Sequence, residues 1–138
     1  MLREENSLGH RVKRMIKFEV KGDLSKTYKF LDRILKRDFY NRLEKYGERG
    51  VALLSEATPV HSGKTSELWD YEIERGLDSV TIYWKNTNVH DGYNVAVLIQ
   101  YGHGTGFGGY VKGIDYINPA LRPLFKEMAD EIWKEVTE

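Results

Sequence analysis

The chain has 138 residues and a formal net charge of zero, with 21 Lys and Arg against 21 Asp and Glu. This length is typical of one domain with its own core. The absence of cysteine excludes disulfides, thiolate metal sites and cysteine nucleophiles. No apolar run approaches the ~20 residues of a membrane-spanning helix, and no apolar signal segment follows the charged start. These features predict a protein made in the cytosol, where it stays soluble.

The charges are unevenly distributed along the chain. Residues 1–50 carry 14 Lys and Arg against 8 Asp and Glu, whereas residues 51–138 carry 7 against 13. A basic half can indicate nucleic-acid binding, or simply a lysine-rich helix in solvent. A third interpretation is that opposite charges meet when identical copies pack head to tail.

The first segment, MLREENSLGHRVKR at 1–14, is polar, charged and without periodicity. It predicts a disordered leader, and Met1 and Met15 are equally good candidates for the natural start. A single folded domain is then predicted over 15–138. Its first element is a short strand, because Ile16, Phe18 and Val20 alternate with charged residues.

A long N-terminal helix is predicted from Leu24 onward. Its apolar residues recur at steps of three and four, at Tyr28, Leu31, Ile34, Leu35, Phe39, Leu43 and Tyr46. Gly47 and Gly50 lower helix propensity, so we expect a bend there before the helix resumes. Thr58–Pro59 is expected to end it, because the residue before a proline avoids the helical region.

Three strand candidates follow a loop at 59–67. Residues 68–74 and 80–86 alternate apolar and polar side chains, which is typical of a strand with one buried face. Residues 95–101, VAVLIQY, are apolar on both faces, so we predict a central or covered strand. The connections at 76–79 and 87–94 are short enough for an antiparallel meander.

The chain ends in a second helix, with Asn118 as the predicted N-cap and Pro119 in its first turn. Its apolar stripe contains Leu121, Leu124, Phe125, Met128, Ile132, Trp133 and Val136. The predicted fold class is therefore α+β. An antiparallel meander of three to four strands carries the long N-terminal helix and the C-terminal helix on one face.

The stretch YGHGTGFGGYVKG at 101–113 matches G-x-G-x-x-G through Gly104, Gly106 and Gly109. A dinucleotide site requires these glycines to open a helix within a βαβ unit. Here YVKGIDYI follows, and the next helix begins only at Pro119. No Gly-Lys-Ser/Thr ends the loop either. We therefore expect no nucleotide and no other cofactor.

No catalytic or metal-binding set stands out. The four histidines, at 10, 61, 90 and 103, have no ligand spacing. His90, Asp91 and His103 could form a weak metal site across neighbouring loops, but solvent-exposed loop histidines are far commoner. Ser62 and Ser66 lie near His61 without an orienting acid, which gives a nucleophilic triad little support. The prediction is a protein that is not an enzyme.

The chain resembles the bacteriophage tail-completion or head–tail joining proteins, which are small neck components also known as minor tail or minor capsid proteins. The resemblance runs from about Met15 to the C-terminus. It is carried by ATPVHSG at 57–63, TNV at 87–89, WKEVT at 133–137 and, most specifically, YGHGTGFGGYVKGIDYINPALRP at 101–123. The family often has an acidic residue after TPV, where this chain has His61, so any role of that acid is in doubt.

The resemblance implies a structural virion protein of a phage or prophage, made in the bacterial cytoplasm. It would assemble as a six-fold ring between the tail tube and the head connector or stopper proteins, with packaged DNA possible in the channel. The alternative is a nucleic-acid-binding module that uses the basic first helix. A more distant alternative is an antitoxin-like or regulatory protein of the same architecture.

Two kinds of residue are candidates for the assembly interface. The first is the glycine loop, which is costly to order in an isolated subunit and is expected to be mobile there: Gly102, His103, Gly104, Thr105, Gly106, Phe107, Gly108, Gly109 and Tyr110. The second is a pair of charged patches. The basic one is Lys29, Arg33, Lys36 and Arg37, and the acidic one is Asp70, Glu72, Glu74, Glu127 and Glu131.

Overall fold

The computed structural model describes residues 2–4, 14–21, 37–59, 63–76 and 79–137. Its elements are, in chain order, β1 (Leu2–Glu4), β2 (Arg14–Lys21), α1 (Arg37–Ala57), α2 (Gly63–Ser66), β3 (Trp69–Arg75), β4 (Ser79–Asn86), β5 (Val89–His90), β6 (Tyr93–Asn94), α3 (Val95–Tyr101), β7 (Gly102–Gly104), β8 (Tyr110–Lys112) and α4 (Ile117–Thr137). The predicted α+β class is confirmed. Among the described helices, none has the length and apolar character needed to cross a membrane.

The main sheet has four antiparallel strands in the order β1-β2-β4-β3. The alternating patterns at 16–20, 68–74 and 80–86 correctly predicted three of these strands. The fourth is β1, so the prediction of a disordered leader is wrong at Leu2–Glu4. Residues 5–13 lie outside the described residues. The strand order places β3 at one end of this sheet, with β4 as its neighbour.

The core lies between one face of the sheet and the two long helices. Phe125 of α4 packs against Phe18 of β2 and Trp84 of β4, with ring centroids 5.3 and 5.6 Å apart. Trp84, Leu54, Leu121 and Met128 are fully buried. A bidentate ion pair joins the two helices at the surface, where Arg49 donates to Glu127 over 3.0 and 2.8 Å.

Gly47 and Gly50 do not interrupt α1, which runs continuously through both residues. The helix therefore has no interruption at the two glycines, where we expected it to bend and resume, and tertiary packing gives the reason. A Cβ at Gly47 would lie 2.3 Å from Tyr71 Cδ2, and one at Gly50 would lie 2.3 Å from Trp84 Nε1. Trp84 Nε1 also donates to the Gly47 carbonyl over 3.0 Å. The two glycines let the helix backbone approach the sheet closely. The predicted start of the helix, at 24–36, lies outside the described residues.

The C-terminal end of α1 follows the sequence prediction. The helix ends at Ala57, and Thr58 is buried. The Thr58 hydroxyl donates to the Leu54 carbonyl over 2.6 Å and accepts from Trp69 Nε1 over 2.9 Å. This short chain of hydrogen bonds fixes the start of β3 beneath the helix end.

The predicted strand at 95–101 is wrong, because these residues form the helix α3. Its N-cap is Asn94, whose side-chain oxygen accepts from Ala96 N and Val97 N over 3.1 and 3.4 Å. Gly102, at φ 80°, caps its other end. Only Ala96 and Gln100 are buried in it, four residues apart, as expected for one face of a helix. A short apolar run does not separate helix from strand by periodicity alone.

Candidate assembly surface

The glycine-rich segment forms a β-hairpin in which β7 pairs with β8. Gly102, His103 and Gly104 lie opposite Lys112, Val111 and Tyr110. Thr105 N donates to Gly109 O over 3.0 Å and closes the tip. The segment named the glycine loop in the sequence therefore contains two short paired strands, at 102–104 and 110–112. The mobility of this segment in an isolated subunit stays a prediction.

The tip consists of Gly106, Phe107 and Gly108. Both glycines have φ of +84°, a region that L residues rarely adopt, and a Cβ on either would meet nothing within 4 Å. The Thr105 hydroxyl accepts from Phe107 N and Gly109 N over 3.4 and 3.2 Å. The backbone of the tip thus requires glycine for its conformation, and Phe107 lies at its apex.

The base of the hairpin is narrow. A Cβ at Gly102 would lie 2.5 Å from Val111 O, and one at Gly113 would lie 2.5 Å from Gln100 O. Just below, Ile114 N donates to Ile99 O over 2.9 Å. The two chains entering and leaving the hairpin therefore touch through their backbones, and larger residues would force them apart.

Gln100 connects the base of the hairpin to the start of α4. Its Oε1 accepts from Tyr116 N and Ile117 N, both over 3.1 Å, and its Nε2 donates to Asp115 Oδ1 over 2.7 Å. The predicted N-cap at Asn118 is therefore wrong: Asn118 lies inside α4, and its Nδ2 donates to Asp115. Gln100 satisfies amides that the helix itself leaves without partners.

Two pKa values are shifted at this junction, one by hydrogen bonds and one by burial. The bond from Gln100, followed by those from Asn118, lowers the pKa of the Asp115 carboxyl below its ordinary value. Burial raises the pKa of the Tyr116 hydroxyl, which donates to Ala96 O over 2.8 Å. Tyr116 therefore stays neutral and Asp115 stays charged at neutral pH, so the junction is intact there.

The hairpin and its base expose apolar side chains to solvent. Phe107 is 97% exposed and Tyr110 is 67% exposed. Tyr101, Val111 and Ile114 are also exposed. The Tyr110 hydroxyl donates to Tyr101 O over 3.0 Å, which holds the ring of Tyr110 along the hairpin. Clustered apolar side chains on a surface are typical of an interaction site.

His103 carries a buried ring nitrogen in this otherwise exposed hairpin. Its Nδ1 has no hydrogen-bond partner among the described residues. A buried polar group without a partner costs about 1–3 kcal/mol. This residue therefore adds nothing to the stability of the hairpin through that nitrogen.

The predicted acidic patch is divided between two sides of the molecule. The side chain of Tyr71 faces α1. Side chains alternate between the two faces along a strand, so Asp70, Glu72 and Glu74 lie on the opposite face of the sheet. On that face, Glu72 Oε2 is 4.0 Å from Lys85 Nζ. Glu127, by contrast, is engaged by Arg49 in the helix layer, which lowers the pKa of its carboxyl.

Glu131 also lies on α4. The strand acids and the helix acids therefore do not form one edge. Lys29, Arg33 and Lys36 of the predicted basic patch lie outside the described residues, as does the side chain of Arg37.

The geometry bears on the other candidate sites as well. The G-x-G-x-x-G glycines lead into β8 and not into a helix. His90 Nε2 lies 3.4 Å from Asp91 Oδ2, and both side chains are exposed. In the parts of the chain that the structure describes, no three His, Asp or Glu side chains are grouped to hold a metal ion. His61 and Ser62 lie outside those parts.

Sequence reasoning missed four residues of this surface: Gln100, Tyr101, Val111 and Ile114. Gln100 was placed on a strand, so its contact with the start of α4 could not be inferred. Tyr110, Val111 and Lys112 form a strand of three residues, which is too short to give a periodic signal.

No protein-family model, curated protein or solved structure matches this chain.

Proposed function

We propose that this protein is a structural component of the bacteriophage head–tail junction. In this role it assembles as a ring through the hairpin at 102–112, between the tail tube and the head connector. The observation that carries the proposal is the hairpin itself. It places Phe107, at 97% exposure, on a glycine-defined tip with further exposed apolar residues at its base.

Leaving the apolar side chains of the hairpin in water has a free-energy cost. Burying exposed apolar surface is favourable by roughly 25 cal/mol per Å². A large aromatic side chain in an interface often contributes most of the binding energy of that interface. Residues 104–112 are all exposed, so they add little buried area to the core. Its residues are best explained by a contact with another protein.

The assignment to a phage rests on the resemblance at 101–123. This segment contains the hairpin, its base and the first turns of α4. Four of its glycines have a conformational or steric requirement: Gly102, Gly106, Gly108 and Gly113. The most specific part of the resemblance therefore coincides with the surface that is proposed to assemble.

The test compares Phe107→Ser with Tyr93→Ser. Both side chains are exposed, but Tyr93 lies outside the hairpin. We expect Phe107→Ser to fold with an unchanged melting temperature and to lose incorporation into phage tails. Tyr93→Ser should be incorporated normally. Native mass spectrometry with the tail-tube protein measures the same loss in vitro.

Two results would contradict the proposed role at the head–tail junction. The first is an unchanged mass when the tail-tube protein is added to the wild-type chain. The second is retention of duplex DNA at low salt with a steep salt dependence, which would favour the nucleic-acid-binding alternative. Normal incorporation of Phe107→Ser would show instead that the hairpin is not the contact.

A further inference from the structure

The terminal strand β3 has one edge that no other described strand covers. Its ladder with β4 is fixed by Gly76 N, which donates to Ser79 O, and by Thr87 N, which donates to Leu68 O. Even-numbered residues of β3 therefore bond to β4, because hydrogen-bonded pairs alternate along an antiparallel ladder. The backbone groups of Trp69, Tyr71, Ile73 and Arg75 point to the open edge.

One of these outward groups is already occupied. The Tyr71 N–H donates to Oδ1 of the preceding residue, Asp70, over 2.8 Å. A side chain that takes a backbone donor in this way blunts the edge of a sheet. The next outward groups along β3 are the Tyr71 carbonyl, the N–H and carbonyl of Ile73 and the Arg75 N–H. Within the described residues, none of these four groups has a hydrogen bond of this kind.

A second open edge lies on the hairpin. Thr105 N bonds to Gly109 O, so the hydrogen-bonded pairs of this ladder are Thr105 with Gly109 and His103 with Val111. The N–H and C=O groups of Tyr110 and Lys112 therefore point away from β7. They form a three-residue edge with two outward donors and two outward acceptors.

We propose that β8 of one copy adds to β3 of the next copy as a parallel strand. The inference rests on the proposed function, since it names the contact that closes the ring. In a parallel ladder each outward residue bonds to two residues of its partner. Ile73 then bonds to the carbonyl of Tyr110 and to the N–H of Lys112. The Tyr71 carbonyl takes the Tyr110 N–H, and the Arg75 N–H takes the Lys112 carbonyl.

This register uses all the outward groups of β8 and leaves the Asp70 contact intact. Of the six outward groups of Tyr71, Ile73 and Arg75, a partner in this register leaves two unused: the Tyr71 N–H, which Asp70 occupies, and the Arg75 carbonyl at the end of the strand. An antiparallel pairing of two β3 edges that included Tyr71 would need this N–H. It would also bring two rows of carboxylates together. The structure thus favours the hairpin over a second β3 as the occupant.

The side chains are complementary in the same register. Val111 lies beside Ile73 on the face that carries the core, and both are apolar. Lys112 lies beside Glu74 on the opposite face.

The net charges of the two segments are also opposite. Residues 102–113 carry one lysine and no acid, whereas β3 carries Asp70, Glu72 and Glu74 against Arg75. Such charges set which surfaces meet. The contact joins two different surfaces, which is what a closed ring requires.

Cysteine cross-linking tests the register, because the chain has no cysteine of its own. We expect the double variant Lys112→Cys with Glu74→Cys to form a ladder of disulfide-linked oligomers under mild oxidation. Each single variant should form dimers at most. The matched control is Lys112→Cys with Glu72→Cys, which moves one cysteine about 6.6 Å along the strand and beyond the usual span of a disulfide. A ladder from the control, or none from the first pair, would overturn the register.

Proline substitution tests the backbone bonds separately from the side chains. Arg75→Pro removes an outward N–H while leaving the ladder with β4 unchanged. Arg75 also lies over the ring of Tyr40, 4.4 Å from its centroid, so Arg75→Ala is the control that loses this contact alone. We expect Arg75→Pro to lower the yield of cross-linked oligomers at least fivefold relative to Arg75→Ala at equal thermal stability. Equal yields would overturn the strand addition.

The two proposals fail in different ways. If Phe107→Ser blocks tail incorporation but the Lys112 and Glu74 cysteines do not cross-link, the hairpin contacts another surface and only the strand addition is wrong. If the wild-type chain neither assembles nor changes mass with the tail-tube protein, the proposed function is wrong.

Discussion

Two regions of this molecule depend on glycine for opposite reasons. Gly47 and Gly50 lie in the middle of α1, where an added Cβ would collide with Tyr71 and Trp84. Gly106 and Gly108 lie at the hairpin tip, where an added Cβ would meet nothing within 4 Å. The first pair allows close packing between a helix and a sheet, and the second pair allows a positive φ.

The comparison shows that the glycine content of a segment does not reveal whether it is packed. In the helix, glycine is required by its neighbours, because the helix backbone lies directly against the side chains of Tyr71 and Trp84. In the hairpin, the same residue is required by the backbone alone. Substitutions should therefore affect global stability in the first region and local conformation in the second.

The largest effect is expected at Gly50. Gly50→Ala places a methyl group 2.3 Å from Trp84 Nε1, so the indole must move and its hydrogen bond to Gly47 O is strained. We expect the free energy of unfolding to fall by about 2–3 kcal/mol, measured by denaturant titration. Glu48→Ala, on the exposed side of the same turn, should stay within about 0.5 kcal/mol of wild type. Helix propensity alone predicts that Gly50→Ala stabilises the protein. That result would contradict the close contact between the α1 backbone at Gly50 and the Trp84 indole.

A smaller effect is expected at the hairpin tip. Gly106→Ala forces an L residue to adopt φ +84°, at a cost of about 1–2 kcal/mol to the local conformation. We expect faster hydrogen exchange at Thr105–Gly109 with no change in the midpoint of global unfolding. Gly104→Ala is the matched control, because its Cβ meets only Gly109 O at 3.9 Å. An equal response from both variants would contradict the role of φ.

The smallest effect is expected in acid, at the base of the hairpin. The pKa of Asp115 is lowered in the folded state, whereas an unfolded carboxyl titrates near pH ~3.9. The unfolded state therefore takes up the proton first, so the contribution of Asp115 is complete above that pH and is lost as the pH falls through the folded value. Below pH ~4, Asp115→Asn should show a flatter decline in melting temperature than wild type. An identical decline in both proteins would show that Asp115 does not contribute to the loss of stability in acid.

Much of the fold was predictable from periodicity. The strands at 14–21, 69–75 and 79–86 alternate with a period of two, and the helices at 37–57 and 117–137 have apolar stripes with a helical period. The segment 95–101 was mispredicted because it is apolar throughout, and its N-cap at Asn94 outweighed its β-branched residues. Pairing of Leu2–Glu4 with β2 is a non-local contact that no local pattern signals.

The candidate site was predictable in part. The hairpin residues 102–110 were identified as one group because glycine is so frequent there, and the structure places them in one unit. The open edge of β3 was not predictable, since it depends on the order of strands in the sheet. The alternation in β3 predicted that Asp70, Glu72 and Glu74 lie on its exposed face, whereas their separation from Glu127 and Glu131 follows from the packing of α4 on the other side of the sheet, which is a tertiary feature.

The narrow base of the hairpin has a consequence for how such a protein can change. Ile99 O and Ile114 N are only 2.9 Å apart, and Gln100 and Tyr116 hold α3 against the start of α4 beside them. The chain between these two points leaves the body of the protein and returns to nearly the same place. A hairpin of different length or sequence can therefore be exchanged here as a cassette, with the four-stranded sheet and both long helices keeping their positions. The sequence of the hairpin can then vary without changing the stretches that stabilise the fold.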